Sequence, residues 1–429
     1  MPLMAVSFMQ MAYNLIDLAW VGCLGSKSVA AVGTVGLLVW MINSIAFISK
    51  VGAEVSIGQS IGAKRFDKAA VFASHTTMIA LALGILFGCL FFFAPQYFIA
   101  FFKLPPEISE KAARFLQIIA LAVPFIFLNL NFAGIYIGTG RSEIPFYFNL
   151  VGLGINILLD PLLIFGFVAP FPALGTEGAA IATAFSVFVV TVLFLFHLKN
   201  RNRLSGRFSL FTRPRTNYVF KILKLGLPVA TMNVFFSIIN MNLVRIASIH
   251  GGHLGVTSQT TGGQIEGVTW NTSQGFATAL GSFVAQNYAA GKMQRAKTAY
   301  RYTLQIMGVL GTVVTASFML FGSAIFSVFI PEKAAYEAGG EYLFIIGISQ
   351  LFMMLELTTQ GMFNGIGRTT PPAVISMTLN FIRIPLAMFL AARMGIAGVW
   401  WAIAISTIVK GTTLPLWFYL VQKRMQRGE

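Results

Sequence analysis

Long apolar runs recur along the whole chain, separated by short polar segments, and few polar residues interrupt them. Twelve runs reach the roughly 20 residues needed to cross the hydrocarbon of a bilayer. They lie at 2–24, 29–58, 68–94, 108–137, 144–168, 177–198, 219–247, 256–288, 297–325, 338–364, 370–392 and 396–421. The pattern predicts an all-α integral membrane protein with twelve transmembrane helices. Two of the rare interruptions are carboxylates, Asp17 in the first run and Asp160 in the fifth. An acid at that depth is costly unless it faces a bundle interior, a wet cavity or a partner, so both mark a candidate ion or proton pathway.

Composition supports the membrane reading. The chain is 56% hydrophobic and 10% charged, with 41 Phe and a mean hydropathy of +0.77, outside what a soluble domain needs to fill its core. A net charge of +16 would suit nucleic acid, but the basic residues gather in alternate loops. Lys64, Arg65 and Lys68 follow the second run, and eight Lys and Arg lie between Lys199 and Lys224. Lys292, Arg295, Lys297 and Arg301 follow the eighth, and Lys423, Arg424 and Arg427 close the chain. Segments 169–178 and 248–255 hold no Lys or Arg. The positive-inside bias then puts both termini in the cytoplasm, as an even number of spans requires. The bilayer is the expected partner and nucleic acid is not.

Cys23 and Cys89 have no metal-ligand spacing and no disulfide framework. The first run shows no cleavage pattern of a signal peptide. Met1-Pro2 opens inside a span without the basic leader that precedes Pro228, so a short preceding segment is expected.

An internal repeat organises the chain. Gly138, Gly140, Arg141 and Pro145 recur 227 residues later as Gly365, Gly367, Arg368 and Pro372. The same shift carries Gln59, Ala63, Arg65, Lys68 and Ala69 onto Gln286, Ala290, Lys292, Arg295 and Ala296. Two halves of six spans are expected, 1–198 and 219–429, joined by a basic cytoplasmic linker at 199–218. An even number of spans per half relates them by a pseudo-two-fold axis along the membrane normal, with a cavity between halves that rock.

Several function classes lack their residues. There is no Gly-x-x-x-x-Gly-Lys-Ser/Thr loop for nucleotide phosphates, so an ion gradient is the expected energy source. No Ser-His-acid set, His-Glu-x-x-His helix or paired acidic metal motif supports a membrane enzyme. His250 and His253 flank a loop without a third ligand and read as a polar turn.

The buried polar groups carry the functional reading. Asn156 and Asp160 are spaced i, i+4 and share one helix face, and Pro161 disturbs the turn before it, which frees a carbonyl. Such irregularity is tolerated in a membrane where it is covered or lines a cavity. Oxygen ligands of this kind suit Na⁺, while a proton needs only a carboxylate, so both ions stay open. Glu266 has no partner near in sequence and is a candidate proton or substrate contact, as is Glu356. Arg383, in the span after Glu356, is the expected structural ion-pair partner of that acid. Lys50 and Glu54 read as an i, i+4 pair, and Gly84 with Gly88 as close helix packing.

Taken together the motifs resemble multidrug and toxic compound extrusion transporters, within the multidrug, oligosaccharidyl-lipid and polysaccharide exporter superfamily. The carriers are Tyr13-Asn14-Leu15-Ile16-Asp17 with Trp20-Val21-Gly22, Ala30-Ala31-Val32-Gly33, Gly138-Thr139-Gly140-Arg141, Asn156 through Pro161, and Glu177 through Thr183. In the second half they are Gly226-Leu227-Pro228, Gln286-Asn287 with Ala290-Gly291-Lys292, and Gly365-Ile366-Gly367-Arg368. The resemblance implies two six-helix bundles exporting cationic or amphipathic compounds in exchange for Na⁺ or H⁺. It also implies a cation site at Asp17, Asn156, Asp160 and Thr183. One branch of the family carries a sodium site in the second lobe with an acid on span seven, and residues 226–247 contain none.

The sequence therefore reads as a secondary active antiporter of a bacterial inner membrane. It is expected to be a monomer and not an enzyme, with no cofactor beyond a coupling ion. A lipid-linked oligosaccharide flippase is the alternative, and an integral membrane transferase ranks behind it.

Overall fold

The computed structural model describes residues 16–141, 143–166, 173–201, 213–368 and 370–427. The described residues form helices and connecting turns, with no strand. The described part of the first expected span is α1, 16–22; residues 2–15, including Tyr13 and Asn14, lie outside the described residues. There follow α2 (Ser26–Gly62), α3 (Phe66–Phe93), α4 (Pro95–Ala100), α5 (Pro106–Gly138), α6 (Glu143–Phe165) and α7 (Thr176–Arg201). The remainder is α8 (Thr216–Ala289), α9 (Met293–Ser327), α10 (Lys333–Gly365), α11 (Thr370–Met394) and α12 (Ile396–Arg427). Ten of these helices are long and apolar enough to cross a membrane among the described residues. The helix α8 contains both the seventh and the eighth expected spans, divided by a break at Gly252 (φ 57°, ψ −148°). With α1, each of the twelve expected spans contains helix among the described residues. The short α4 carries no membrane-length run; Pro95 starts it directly after α3 ends.

The repeat is visible as backbone geometry. Gly140 ends α5 with φ 79° and Gly367 ends α10 with φ 75°. In each case the next residue's N–H reaches back five positions, Arg141 to Tyr136 O at 2.9 Å and Arg368 to Phe363 O at 3.0 Å. This is the Schellman closure, which needs a left-handed residue that glycine adopts without a Cβ clash. The turn after α2 has the same form, Arg65 N–H to Ser60 O at 2.8 Å, matched by Lys292 N–H to Asn287 O at 2.7 Å. There the left-handed positions are Lys64 (φ 57°) and Gly291 (φ 69°).

Helix contacts repeat as well. A Cβ at Gly138 would fall 2.8 Å from the Glu54 carbonyl oxygen, and one at Gly365 2.7 Å from that of Gly281. One turn earlier, Gly134 abuts the Lys50 carbonyl and Gly361 that of Ala277. Small residues let α2 and α5, and likewise the later part of α8 and α10, approach to backbone contact, the attraction available where lipid is as apolar as the side chains. Gly84 and Gly88 lie against Pro124 and Ala120 of α5, as close packing requires.

The chain falls into two compact units, residues 1–241 and 242–429. The packing boundary lies inside α8, later in the chain than the boundary read from the repeat. The reason is local: Gly226 of α8 lies against Ile48, Ile222 against Gly52, and Tyr218 stacks on His75 at 5.1 Å. The buried His75 also accepts the Arg215 N–H on Nε2 at 3.1 Å, while Nδ1 lies 2.8 Å from Val71 O. Those contacts fix the end of the linker; residues 202–212 lie outside the described residues.

Candidate cation site

The first unit brings Asp17 and Asp160 together. Asp160 and Asn156 lie on one face of α6, at 0% and 1% exposure, and the Asn156 Nδ2 donates to Asp160 Oδ1 at 3.3 Å. The carboxyl group of Asp17, on α1, lies within hydrogen-bonding reach of that of Asp160. One turn beyond Asp17, the Trp20 ring meets Phe165 edge-on at 6.0 Å, which ties α1 to the end of α6. Pro161 supplies no N–H to the Ile157 carbonyl, so that oxygen lacks its helical donor.

The site is rich in oxygen and short of donors. Among the described residues, Asp17 Oδ1, Asp160 Oδ2 and Asn156 Oδ1 are buried without a hydrogen-bond partner. Two carboxyl groups in contact cannot both stay charged without a proton or a cation between them. The arrangement is thus built to accept one positive guest. Thr183 is half-buried on α7, in the stretch between the Gly178–Leu163 and Gly152–Val190 contacts with α6. Its hydroxyl makes no hydrogen bond to Asp160 or Asn156 among the described residues; its carbonyl accepts from Ser186 Oγ at 2.9 Å.

The second unit holds a different cluster. Glu266 of α8 accepts from Gln350 Nε2 at 3.2 Å and from Tyr342 OH at 3.5 Å, both on α10. Thr269 Oγ1 in turn donates to Gln350 Oε1 at 2.8 Å. The ion pair expected between Glu356 and Arg383 does not form. Glu356 Oε2 lies 3.2 Å from Lys410 Nζ of α12, with side-chain exposures of 5% and 9%, and Ser376 Oγ donates to its other oxygen at 2.9 Å. Arg383 instead donates to Ser406 Oγ at 2.6 Å and Thr407 Oγ1 at 2.9 Å. The physical reason is that α12 places its polar face against both α10 and α11, so Lys410 reaches the acid first. Lys410 is a functional candidate that the sequence reading missed. Its signal was present, a lone lysine inside an otherwise apolar run, which is as costly there as an acid.

Lys50 sits with its ammonium 4.7 Å from the Phe47 ring centroid, on the face of α2 shared with Glu54. Cys23 and Cys89 are free and exposed. Among the described residues, no group of three or more His, Cys, Asp or Glu could hold a metal ion.

Comparison with known proteins agrees with this architecture. The family model described as MatE matches residues 2–162 and 228–389. The chain is 25% identical to the probable multidrug resistance protein NorM of Thermotoga maritima, over 100% of this chain and 92% of that protein. It is 22% identical to the multidrug export protein MepA of Staphylococcus aureus, over 99% and 93%. Among solved structures, an inward-facing multidrug resistance MATE family transporter of the MOP superfamily superposes with a TM-score of 0.87 at 24% identity, over 98% of this chain and 96% of that one. A MOP superfamily transporter from Pyrococcus furiosus, described as having a binding pocket of reverse polarity, gives 0.72 at 25% identity, over 99% and 94%. With both halves matched by the family and its relatives spanned along nearly their whole length, this chain belongs to the MatE family of integral membrane transporters.

Proposed function

We propose that this transporter exports cationic or amphipathic compounds in exchange for an entering H⁺ or Na⁺, and that Asp17 and Asp160 bind the entering ion. The observation that carries this reading is the buried contact of the two carboxyl groups, with Asn156 as an amide donor and three oxygens left without partners among the described residues. A cation or a cationic cargo can occupy such a site, but not both, and that competition supplies the coupling. Thr183 enters as a further oxygen on the neighbouring helix.

Glu266 is the acid we assign to polar contact with cargo in the second unit. Its carboxylate is hydrogen-bonded by the neutral Gln350 and Tyr342, whereas Glu356 is paired with Lys410. The flippase alternative calls for basic groups around an anionic headgroup, and the first unit's site is acidic. The relatives named for multidrug resistance and export support drug-like cargo. The alternating basic loops support cytoplasmic termini in a bacterial inner membrane, and the chain is proposed to act as a monomer.

The test uses vesicles containing the purified chain and a cationic dye, with Na⁺ and pH gradients imposed separately. One gradient should drive dye movement and Asp160→Asn should abolish that component. If neither gradient moves the dye, or Asp160→Asn behaves as wild type, the antiport reading fails.

A further inference from the structure

The two units treat buried charge in opposite ways. In the first, Asp17 and Asp160 meet with no Lys or Arg paired to them among the described residues. In the second, the corresponding spans carry no acid: residues 219–247 and 370–392 contain no Asp or Glu. The acids of the second unit come from other turns and bring their own cations. Glu356 is paired with Lys410 at 3.2 Å, and Arg383 is held beside it by Ser406 and Thr407. With Glu266, the cluster sums to two negative and two positive groups.

The fold does not need an ion pair at this place. The repeat counterpart of Glu356 is Asn129, and its Oδ1 accepts an ordinary hydrogen bond from Thr191 Oγ1 of α7 at 2.9 Å. Neutral groups therefore pack there. A buried ion pair is a poor way to gain stability, because desolvating both charges offsets most of their attraction. Lys410 and Glu356 thus call for a reason other than packing.

We propose that Lys410 is a tethered cation. Its ammonium holds, against the Glu356 carboxylate, the place that a mobile H⁺ or Na⁺ takes between the acids of the first unit. The second unit is thereby closed to coupling ions, and each export cycle draws a single cation, bound in the first unit. Removing the tether opens a second monovalent-cation site on the Glu356 carboxylate and the Ser376 hydroxyl. The proposal rests on Asp17 and Asp160 being the coupling site.

The test counts cations on the purified full chain in detergent, as bound radioactive sodium plus protons taken up on mild acidification, each variant compared with Asp160→Asn. Wild type should take one more cation than Asp160→Asn. Lys410→Met should take two more, and adding Glu356→Gln to Lys410→Met should remove the extra one. Lys410→Arg should restore the wild-type count, which a loss of packing alone would not predict. A folded Lys410→Met chain that takes no more than wild type overturns the proposal. Should Lys410→Met not fold, Glu356→Gln alone decides: an unchanged count supports the tether, and a count lower by one overturns it. If Asp160→Asn itself leaves the count at the wild-type level, the coupling reading of the first unit is what fails.

Discussion

Gly140 and Gly367 hold the same left-handed backbone, φ 79° and 75°, at the ends of α5 and α10. Open space surrounds a Cβ built at either position, so the demand for glycine is conformational and not steric. Gly140→Ala and Gly367→Ala are each expected to lower stability by about 1–2 kcal/mol, the strain of a left-handed alanine. Thermal unfolding in detergent measures it, and equal losses at the two positions are the expected result.

Lys64 occupies the position that Gly291 fills in the second half, at φ 57° against 69°. A lysine there carries strain that glycine avoids, offset in part by the freedom glycine loses on folding. Lys64→Gly should therefore raise stability by roughly 0.5–1 kcal/mol, and Gly291→Lys should lower it. Unfolding midpoints of the two variants have opposite signs if the repeat geometry is right.

Asn156 donates to Asp160 Oδ1 at 3.3 Å from inside the same helix. Hydrogen bonds to a charged group contribute about 1.5–3 kcal/mol. Asn156→Ala is expected to change the apparent affinity for the coupling ion by tenfold or more while leaving folding intact, read from gradient-driven dye efflux as a function of ion concentration. An unchanged ion dependence would remove Asn156 from the site.

Two ion pairs in this chain should differ sharply in worth. Lys27 Nζ lies 2.7 Å from Glu107 Oε2, but both side chains are more than half exposed, and water and salt screen such a pair. Lys27→Met should leave the unfolding temperature nearly unchanged. Lys410 and Glu356, at 9% and 5% exposure, are shielded, so Glu356→Gln alone should cost about 3–5 kcal/mol by leaving the buried lysine unpaired, and Lys410→Met should cost less where Na⁺ or H⁺ neutralises Glu356. The double variant Lys410→Met/Glu356→Gln should recover most of that loss, and a double-mutant cycle by thermal unfolding measures the coupling.

Much of the architecture was legible because it is local. Hydropathy marks each span by its length alone, and matched residues of the two halves emerged as the same turn at Gly140 and Gly367 and the same helix contact at Gly138 and Gly365. The outline failed where two spans share one helix: nothing in the composition of 248–255 separates a loop from the single-residue break at Gly252. The short α4 escaped notice because six residues carry no membrane-length pattern.

The sequence by itself determined the membrane setting, the number of spans, the repeat and the expense of Asp17 and Asp160, since each follows from the chemistry of single residues against lipid. Only the tertiary structure decided which buried charges meet. It set Asp17 beside Asp160, gave Glu356 to Lys410 and left Arg383 to two hydroxyl groups. Those choices depend on how helices distant in sequence pack and rotate, and that is fixed by backbone contacts at residues such as Gly134, Gly138, Gly361 and Gly365, far from the charges themselves.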